Sequence, residues 1–434
     1  MMFIIIFLII FLYFFYHCYW KGRNLPPGPM PLPIIGNLHQ FGKSEFVEYK
    51  DMEWLRKKYG DVATFWAADM PVVVIQDYEL LQDTINIELG YFLESVEESI
   101  IGTEAEVDLV LKTEITVANV INQLLFGFAY HDPKKVAEFT RIKDVIAEHM
   151  HLGTYPSVVF LMHFPDILRH FPFFKNRYKI FTSGYYEIVD YCREQIRKHQ
   201  ENFTEEGEPT DYTDAYLKEA KKRPETFTEE QLVNILYDMF IAGQETTANT
   251  VIFTFIYALN YPEAQKKVHE ELDRVIGSDR RITLSDRNSL PYVNAFIFEC
   301  QRMVNLLAQN LPHKTLKKTI VNGYSIPLNT VVIPQISAVL YDEKYFPNSR
   351  EFKPERFIDE EGHLKKIEQF IPFSLGKRQC LGESLARMEL YILIANFFNH
   401  YELKPLNGQP PAMKKKRGVT VQPIPFTCIV RKRY

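Results

Sequence analysis

The sequence has few cysteines and no pair of the kind that binds zinc. Its five cysteines are spread over 434 residues without a Cys-x-x-Cys motif: Cys18, Cys192, Cys300, Cys380 and Cys428. An odd, scattered set argues against a disulfide framework and against a structural zinc site. Because free cysteines are typical of a reducing compartment, we expect the globular part of the chain to face the cytosol.

The chain also lacks a basic excess, internal repeats and flexible linkers. Its formal net charge is −5, which offers no general attraction to nucleic acid. No Gly/Ser-rich tract or repeat divides it, and 46% hydrophobic residues are enough for a large core. We therefore predict no nucleic-acid partner, and one large domain over residues 38–434 in addition to an N-terminal anchor.

Residues 1–20, MMFIIIFLIIFLYFFYHCYW, carry no formal charge. At about 1.5 Å per residue they approach the roughly 30 Å thickness of the hydrocarbon core. Lys21 and Arg23 follow directly, and no small-residue cleavage site comes after them. Basic residues at this place favour a retained transmembrane signal anchor with the rest of the chain on the cytosolic side. A buried core helix is the alternative, which so uniformly apolar a run disfavours.

Residues 21–37 form a basic and proline-rich segment that includes PPGPMPLP. Repeated proline fixes φ and removes amide donors, which favours extended chain over helix or sheet. Since this segment stands between the anchor and the globular body, a stiff hinge is a better interpretation than a ligand for another protein's proline-binding groove.

Most of the remaining chain is typical of helix, with a few short strands. The periodicity predicts a helix over residues 46–59 and strands over 62–66 and 71–75, around a turn at Asp69. The clearest helix begins at Thr228, with Gln231 as its capping-box partner, and stops before Pro262. We expect this helix to be the spine of a mainly α fold with small β-sheets.

Within that helix the segment AGQETT, residues 242–247, interrupts an apolar pattern. Gly243 costs about 1 kcal/mol relative to alanine in a helix, and threonines there can bend the helix. One interpretation is a tolerated bend. The other is functional: the small residues Ala242 and Gly243 let the backbone approach a flat cofactor, while Glu245 and Thr246 relay protons.

Glu299 and Arg302 are three residues apart in a predicted helix, so both side chains lie on one face. An exposed ion pair there would contribute little. The apolar neighbours instead suggest partial burial, and buried charges need further hydrogen bonds to offset their desolvation. Arg356, in the segment FKPERF, is a candidate to complete such a network.

The segment FSLGKRQCLG, residues 373–382, places Cys380 at the junction between a loop and a predicted helix. The helix N-terminus with Lys377 and Arg378 should favour the thiolate, which is the form that binds metal. Gly376 and Gly382 leave room for a planar group, and Arg378 could neutralise a carboxylate on it. A buried structural cysteine in a turn is the alternative, but it explains neither the glycines nor the arginine.

With these motifs in order, the chain resembles the membrane-bound microsomal branch of the cytochrome P450 family, similar to the animal enzymes that oxidise drugs, steroids and fatty acids. The resemblance covers nearly the whole chain. The matching segments are the haem-binding loop (Phe373, Gly376, Arg378, Cys380, Gly382), the oxygen-activating central helix (residues 242–247), Glu-x-x-Arg (Glu299, Arg302) and Pro-Glu-Arg-Phe (residues 354–357).

The resemblance implies a cytochrome P450 fold that binds haem b, with the Cys380 thiolate as the iron ligand. It further implies that Arg378 and His313 hold the haem propionates, that Thr246 and Glu245 deliver protons to dioxygen, and that Glu299, Arg302 and Arg356 are structural. The implied partners are NADPH-cytochrome P450 reductase, cytochrome b5 as a further electron donor, membrane lipid, and a lipophilic fatty acid, steroid or xenobiotic. The implied location is the endoplasmic reticulum membrane, in xenobiotic or lipid metabolism.

One part of the family pattern is missing. The family carries a Trp-x-x-x-Arg helix whose arginine binds a propionate, but the tryptophans here are Trp20, Trp54 and Trp66, and no arginine lies between Arg56 and Arg141. The chain is also shorter than usual near residues 84–93, where a helix and a substrate-covering loop are expected. We therefore predict a fold that is incomplete in the region of its early haem-covering helices.

Three functions remain open on the sequence. The first is a reductase-fed monooxygenase, and the second is a haem-thiolate isomerase or dehydratase, which needs no reductase. Thr246 and Glu245 argue against the second, because such an enzyme can dispense with proton relay to dioxygen. The third is a truncated or degenerate relative that binds haem weakly or not at all, which the missing Trp-x-x-x-Arg helix favours.

Overall fold

The structure is a computed structural model that describes residues 62–67, 70–75, 78–155, 157–158, 161, 164–204, 209–307 and 310–434, with Tyr16, Met30 and Lys58 as single residues. Apart from those single residues, the predicted anchor (1–20), hinge (21–37) and helix (46–59) lie outside the described part. The chain divides into two units, Met1–Asp83 and Thr84–Tyr434.

The first unit contains a β-hairpin. Strands β1 (Val62–Ala67) and β2 (Met70–Ile75) pair antiparallel, from Val62 opposite Ile75 to Ala67 opposite Met70. The run of valine, isoleucine and aromatic residues suits a pleated strand. Both predicted strands are confirmed, each one residue longer than expected.

Helices make up most of the second unit, so the predicted fold class, mainly α with small β-sheets, is confirmed. The first helix begins in the first unit, and the helices are α1 (Tyr78–Glu98), α2 (Leu109–Phe126), α3 (Pro133–Leu152), α4 (Pro165–Leu168), α5 (Pro172–Glu201), α6 (Tyr212–Lys222), α7 (Glu229–Asn260), α8 (Pro262–Val275), α9 (Pro291–Val304), α10 (Ile336–Leu340) and α11 (Glu383–His400). Short 3₁₀ turns cover Leu284–Ser289, Pro354–Phe357, Gly376–Arg378 and Leu406–Gly408.

The strands of this unit are short and entirely antiparallel. They are β3 (Glu104–Val107), β4 (His313–Lys314), β5 (Thr319–Val321), β6 (Tyr324–Ile326), β7 (Val331–Val332), β8 (Tyr401–Lys404), β9 (Lys415–Lys416), β10 (Gln422–Pro423) and β11 (Cys428–Lys432). One sheet has three strands in the order β3-β11-β8, and the pairs β4-β7, β5-β6 and β9-β10 are separate.

Helix α7 is the spine that the sequence predicts. The Thr228 hydroxyl accepts a hydrogen bond from the Gln231 amide at 3.2 Å, and the helix ends directly before Tyr261 and Pro262. Every residue from 247 to 259 is buried. Helix α7 contacts α2, α5, α8, α9 and α11, so it forms the centre of the core.

Helix α11 begins three residues after Cys380 and packs on α7. All of its residues from 388 to 399 are buried, and the rings of Phe255 on α7 and Phe397 on α11 lie 4.5 Å apart between centroids. This packing fixes the position of the segment after Cys380 relative to α7.

The region where the sequence predicts an incomplete fold is helical in the structure. Helix α1 runs without a break through residues 84–93, and β3 begins after a further five residues, 99–103. Lys112, the only lysine or arginine between Tyr59 and Pro133, donates to the Ser95 carbonyl at 2.7 Å. This lysine is therefore already engaged with the backbone.

One helix in the described part, α2, is long and apolar enough to cross a membrane by length and composition. Most of it is buried inside the protein and packs on α7. It also buries the polar residues Asn119 and Asn122. These contacts identify α2 as a core helix.

Candidate active site

The loop that presents Cys380 is closed by its own backbone. The Cys380 amide donates to the Phe373 carbonyl at 2.9 Å, and the Gln379 amide donates to the Gly376 carbonyl at 3.0 Å. Ser374 and Gly376 have φ values of 65° and 79°, a left-handed region that glycine adopts without strain. The tight turn explains why the sequence has glycine at position 376.

The surface of this loop is open, and its exposed side chains include the apolar Leu375 and Leu381. Cys380 is exposed, and the side chain of Leu381 is 96% exposed. A Cβ added at Gly376 or Gly382 would meet no atom within 4 Å. The exposed position excludes the interpretation of Cys380 as a buried structural cysteine, and the apolar opening suits a flat, largely apolar ligand.

The two predicted propionate partners, Arg378 and His313, lie in different elements. Arg378 is exposed in the Cys380 loop and makes no ion pair or hydrogen bond with any described residue. His313 begins β4, where it pairs with Val332. No hydrogen bond joins the two side chains within the described part of the chain. The guanidinium of Arg378 is therefore available for an external carboxylate, which it can bind through two parallel hydrogen bonds.

The protonation of Cys380 differs from the expectation. Desolvation of the sulfur raises the pKa of the thiol, and the Glu383 carboxylate raises it further, while the Gly382 amide lowers it. Lys377 and Arg378 do not offset these effects, so the surroundings alone do not favour the thiolate. A coordinated metal ion deprotonates a thiol ligand outright, and that effect would have to supply the thiolate here.

The segment 242–247 lies on α7 with an exposed Ala242. The Thr246 hydroxyl donates back to the Ala242 carbonyl at 2.7 Å. Gly243 makes room for a neighbouring helix, because a Cβ at this position would stand 2.5 Å from Cδ1 of Ile121 on α2. Within the protein, Gly243 therefore allows α7 to pack closely against α2.

Glu245 is held by the C-terminal segment of the chain. Its Oε1 accepts hydrogen bonds from the Thr420 hydroxyl at 2.8 Å and from Nε2 of Gln422 at 2.7 Å. Its Oε2 is buried without a partner among the described residues. Burial raises the pKa of Glu245, and the two donors oppose this effect. The sequence gives no sign of these contacts, because they join residues about 175 positions apart.

The structure brings Glu299, Arg302 and Arg356 together. Arg302 donates from Nε and Nη2 to the two oxygens of Glu299 at 2.7 and 2.8 Å, and Arg356 donates from Nε to Oε1 at 2.9 Å. Arg302 also donates to the carbonyls of Leu340 and Ser349. Because the side chains of Glu299 and Arg302 are 0% exposed, this is not a surface ion pair.

The sequence interpretation missed one acidic residue, Glu389 on α11. It is 1% exposed, and neither carboxylate oxygen has a hydrogen-bond partner among the described residues. Burial raises its pKa to about 8, and the Thr247 side chain opposes this shift. A lone acid in the apolar stretch MELYILIANFF is the sequence signal that would have identified it.

Comparison with known proteins gives consistent matches. The family model described as "Cytochrome P450" matches residues 26–103 and 82–430. The chain is 32% identical over 450 residues to cytochrome P450 2E1 of Oryctolagus cuniculus, covering 90% of this chain and 89% of the relative. It is 33% identical over 454 residues to cytochrome P450 2C3 of the same organism, covering 89% of each. It is 31% identical over 459 residues to cytochrome P450 2H2 of Gallus gallus, covering 92% and 90%.

Proposed function

This chain belongs to the cytochrome P450 family, and we propose that it is a haem-thiolate monooxygenase that inserts one atom of O₂ into a lipophilic small molecule with electrons from NADPH. The observation that carries the proposal is the exposed thiol of Cys380, in a loop opened by two glycines and next to Arg378, which has no ion-pair partner among the described residues. This combination provides one soft metal ligand and one carboxylate partner in a loop where two glycines leave open space.

The residues present fit haem b. The Cys380 thiolate would hold the iron, and Arg378 and His313 would bind propionates. Bound haem supplies oxygen activation, and an axial thiolate favours cleavage of the O–O bond. The residues that would border its faces are Phe373, Gly376 and Gly382 in the loop and Ala242 and Gly243 on α7.

The arginine of the family's Trp-x-x-x-Arg helix, which binds a haem propionate, has no counterpart in this chain. Lys112 is engaged with the Ser95 carbonyl, and no arginine is present between Arg56 and Arg141. The loss of one charge-assisted hydrogen bond costs about 1.5 to 3 kcal/mol. We expect this chain to hold haem more weakly than a relative with the complete pattern.

Protons for oxygen reduction would come from Thr246 and Glu245. The raised pKa of Glu245 keeps a proton available on a residue next to Thr246, and a positioned acid is most effective when its pKa is near the working pH. Loss of the Thr246 hydroxyl should divert electrons to peroxide or water. The Thr246→Ala variant is then expected to yield less product per electron consumed, and an unchanged yield would contradict this role.

Thr254 is a matched control for this experiment. Its hydroxyl donates to the Thr250 carbonyl at 2.8 Å, as Thr246 does to Ala242, but it is fully buried in the core. Thr254→Ala changes the same chemical group on the same helix away from the proposed site. We expect it to leave the yield per electron unchanged.

The remaining features of the proposal concern location and partners. Residues 1–20 would anchor the chain in the endoplasmic reticulum membrane, residues 21–37 would form the hinge, and residues 38–434 would be the catalytic domain on the cytosolic side. NADPH-cytochrome P450 reductase, with cytochrome b5 as a further donor, would supply electrons. The substrate would be a fatty acid, steroid or xenobiotic that enters from the bilayer.

Reconstitution tests the substrate class. The full chain in vesicles with the reductase and NADPH is offered one fatty acid, one steroid and one aromatic xenobiotic in parallel, and oxygenated product and peroxide are measured. Product that depends on the reductase supports the proposal. NADPH consumption that yields only peroxide for every class would exclude these substrates.

A second candidate is a relative that binds haem weakly or not at all. The missing Trp-x-x-x-Arg helix and the engagement of Lys112 favour it. Haem content of the purified full chain separates the two candidates, because a monooxygenase requires about one haem per chain.

A further inference from the structure

A cavity of about 540 Å³ lies at the C-terminal end of α9. Its described walls come from the end of α9, from α10 and the segment after it, and from the C-terminal segment around β9, and none of them belongs to the candidate active site. Two of the lining side chains are cations, Arg350 and Lys415, and no described lining residue is acidic. Small-molecule sites commonly have volumes of roughly 300 to 1,000 Å³. The cavity is therefore large enough for a small organic molecule, and its charge favours an anion.

The two cations are held in place by the last carbonyls of α9. Lys415 donates from Nζ to the carbonyls of Met303 and Val304, at 2.7 Å in each case. The Tyr341 hydroxyl donates to the same Met303 carbonyl at 2.7 Å, and the guanidinium carbon of Arg350 lies 3.9 Å from the centroid of the Tyr341 ring. Both charged groups are thus positioned before any ligand binds, which lowers the entropy cost of binding.

Both cations keep donors that the described protein does not use. The three N–H groups of the Lys415 ammonium have two carbonyl partners, so one remains. Arg350 makes no hydrogen bond or ion pair with any described residue, and its five N–H groups can bind a phosphate group through two parallel hydrogen bonds. A helix cap alone would account for Lys415. It does not account for a second cation beside it, because like charges repel.

The two charges act on each other without an acid to compensate them. Desolvation of the ammonium group, together with the charge of Arg350, lowers the pKa of Lys415 to about 8, and no acidic group opposes this effect. A bound anion would remove the repulsion between the two cations. A phosphate monoester carries a charge of about −1.5 to −2 near pH 7, which matches two cations more closely than the single charge of a carboxylate.

A buried amide adds a neutral polar group to the cavity. Asn305 lines the cavity and is 5% exposed, yet its side chain makes no hydrogen bond within the described part of the chain. Buried polar side chains nearly always have a partner. Its backbone is left-handed, with a φ of 45° at the end of α9, which explains an asparagine here but leaves the carboxamide without a partner. A ligand oxygen in the cavity would supply one.

Apolar side chains stand next to these polar groups. Val304 and Val421 line the same cavity and provide a surface for the organic part of a ligand. Val421 lies between the two residues that donate to Glu245. The cavity therefore borders the segment that holds Glu245, although this acid is not among its described walls.

We propose that this cavity binds an organic phosphate monoester. Arg350 and Lys415 bind the phosphate, Asn305 donates to one of its oxygens, and the organic part lies against Val304 and Val421. A lipid with a terminal phosphate and a soluble alkyl phosphate share this chemistry. The inference does not rest on the proposed monooxygenase function, because none of these residues belongs to the proposed haem site.

The experiment is a calorimetric titration of the purified full chain, in neutral detergent and phosphate-free buffer, with hexyl phosphate. Hexanoic acid, inorganic phosphate and hexanol are titrated in parallel: the first lacks the second negative charge, the second lacks the organic part, and the third lacks the anion. We expect hexyl phosphate to bind more tightly than each of the three.

Variants assign the binding to the cavity. Arg350→Gln removes one cation, and Asn305→Gly removes the carboxamide while keeping a residue that tolerates the left-handed backbone. Lys416→Met is the matched control, because Lys416 is also on β9 but is not among the described lining residues. Loss of one charge-assisted bond should weaken hexyl phosphate binding about ten- to a hundredfold in Arg350→Gln. Lys416→Met should bind as the wild type does, and circular dichroism shows that each variant is folded.

A second arm distinguishes the two sources of the phosphate. The full chain is placed in phosphatidylcholine vesicles that contain either phosphatidic acid or, as a control for surface charge, phosphatidylglycerol, and hexyl phosphate is titrated again. Weaker binding with phosphatidic acid alone supports the site and identifies a lipid phosphate as its ligand. Equal binding in the two kinds of vesicle supports the site with a soluble ligand.

Three results would overturn the inference: no binding of hexyl phosphate to the wild type, equally tight binding of hexanoic acid or inorganic phosphate, or an equal loss in Arg350→Gln and Lys416→Met. The last result would show a general attraction to the basic segment 414–417. Haem content and product formation are measured separately, so a failure of the proposed function leaves this inference untouched.

Discussion

Arg302 and Glu299 form a bidentate ion pair in which both side chains are completely buried, with N···O distances of 2.7 and 2.8 Å. Arg356 and the Lys353 amide donate to the same carboxylate. Desolvation of such charges is offset only when every partner is in place. The network joins α9 to the segment that contains the Pro354–Phe357 turn.

Removal of the Glu299 carboxylate should therefore lower the free energy of unfolding substantially. Glu299→Gln leaves two buried guanidinium groups without a counter-charge, and we expect the free energy of unfolding to fall by about 3 to 5 kcal/mol. Urea unfolding of the variant measures this change. Asp190→Asn is the control, because its ion pair with Arg193 is exposed and is expected to contribute roughly 0 to 1 kcal/mol. Equal effects of the two substitutions would contradict the account.

We predict that position 243 requires glycine because the Ile121 side chain leaves no room for a Cβ, and not because of the helix backbone. In Gly243→Ala the new Cβ would stand 2.5 Å from Cδ1 and 2.9 Å from Cγ1 of Ile121, and overpacking of this kind costs about 1 to 3 kcal/mol. In an Ile121→Val background Cδ1 is gone, so the same substitution should cost less because alanine favours the helix by about 1 kcal/mol. A double-mutant cycle of unfolding free energies measures the coupling. Additive effects would show that the two residues do not constrain each other.

We predict that substitution of Gly382 weakens haem binding more than it lowers the free energy of unfolding. A Cβ there meets no protein atom within 4 Å, so the expected cost of Gly382→Ala to the haem-free chain is that of alanine at the N-cap of α11, about 1 kcal/mol. Haem titration of the same variant should show weaker binding, because the methyl group occupies the surface against which the porphyrin would lie. Unaltered haem affinity would remove Gly382 from the proposed site.

The stability of the chain should depend on pH through Glu389. Its folded pKa of about 8 lies above the ordinary value of 4.5, so the unfolded chain ionises first. The contribution of Glu389 to stability is complete below pH 4.5, falls as pH rises, and is lost above about pH 8. Glu389→Gln removes this dependence, and its unfolding free energy relative to wild type should rise across this window by up to about 4 kcal/mol. A constant difference from pH 5 to pH 9 would contradict the neutral, buried state of Glu389.

Local signals in the sequence predict much of this structure. The capping residue Thr228 and the breaker Pro262 define the bounds of α7, and two runs rich in β-branched and aromatic residues define the hairpin β1-β2. The spacing of Glu299 and Arg302 places them on one helical face, where the structure has their ion pair. These features depend on neighbours within a few residues.

Features that depend on distant parts of the chain could not be read in this way. The contact of Gly243 with Ile121 and the bonds from Thr420 and Gln422 to Glu245 each need the tertiary arrangement. The thiol pKa of Cys380 also differs from the sequence expectation, because desolvation outweighs the charges of Lys377 and Arg378. Glu389 escaped notice because a single acid in an apolar helix has no local partner that marks it.

The reduced, carbon monoxide-treated difference spectrum of the purified full chain tests the central claim most directly, with Cys380→Ser and Cys192→Ser measured beside it. Cys192 is a matched cysteine that is buried on α5 and remote from the candidate loop in sequence. We predict the band of thiolate-ligated haem in the wild type and in Cys192→Ser, and its loss in Cys380→Ser. A wild-type chain without haem, or a Cys380→Ser variant that keeps the thiolate band, would contradict the account.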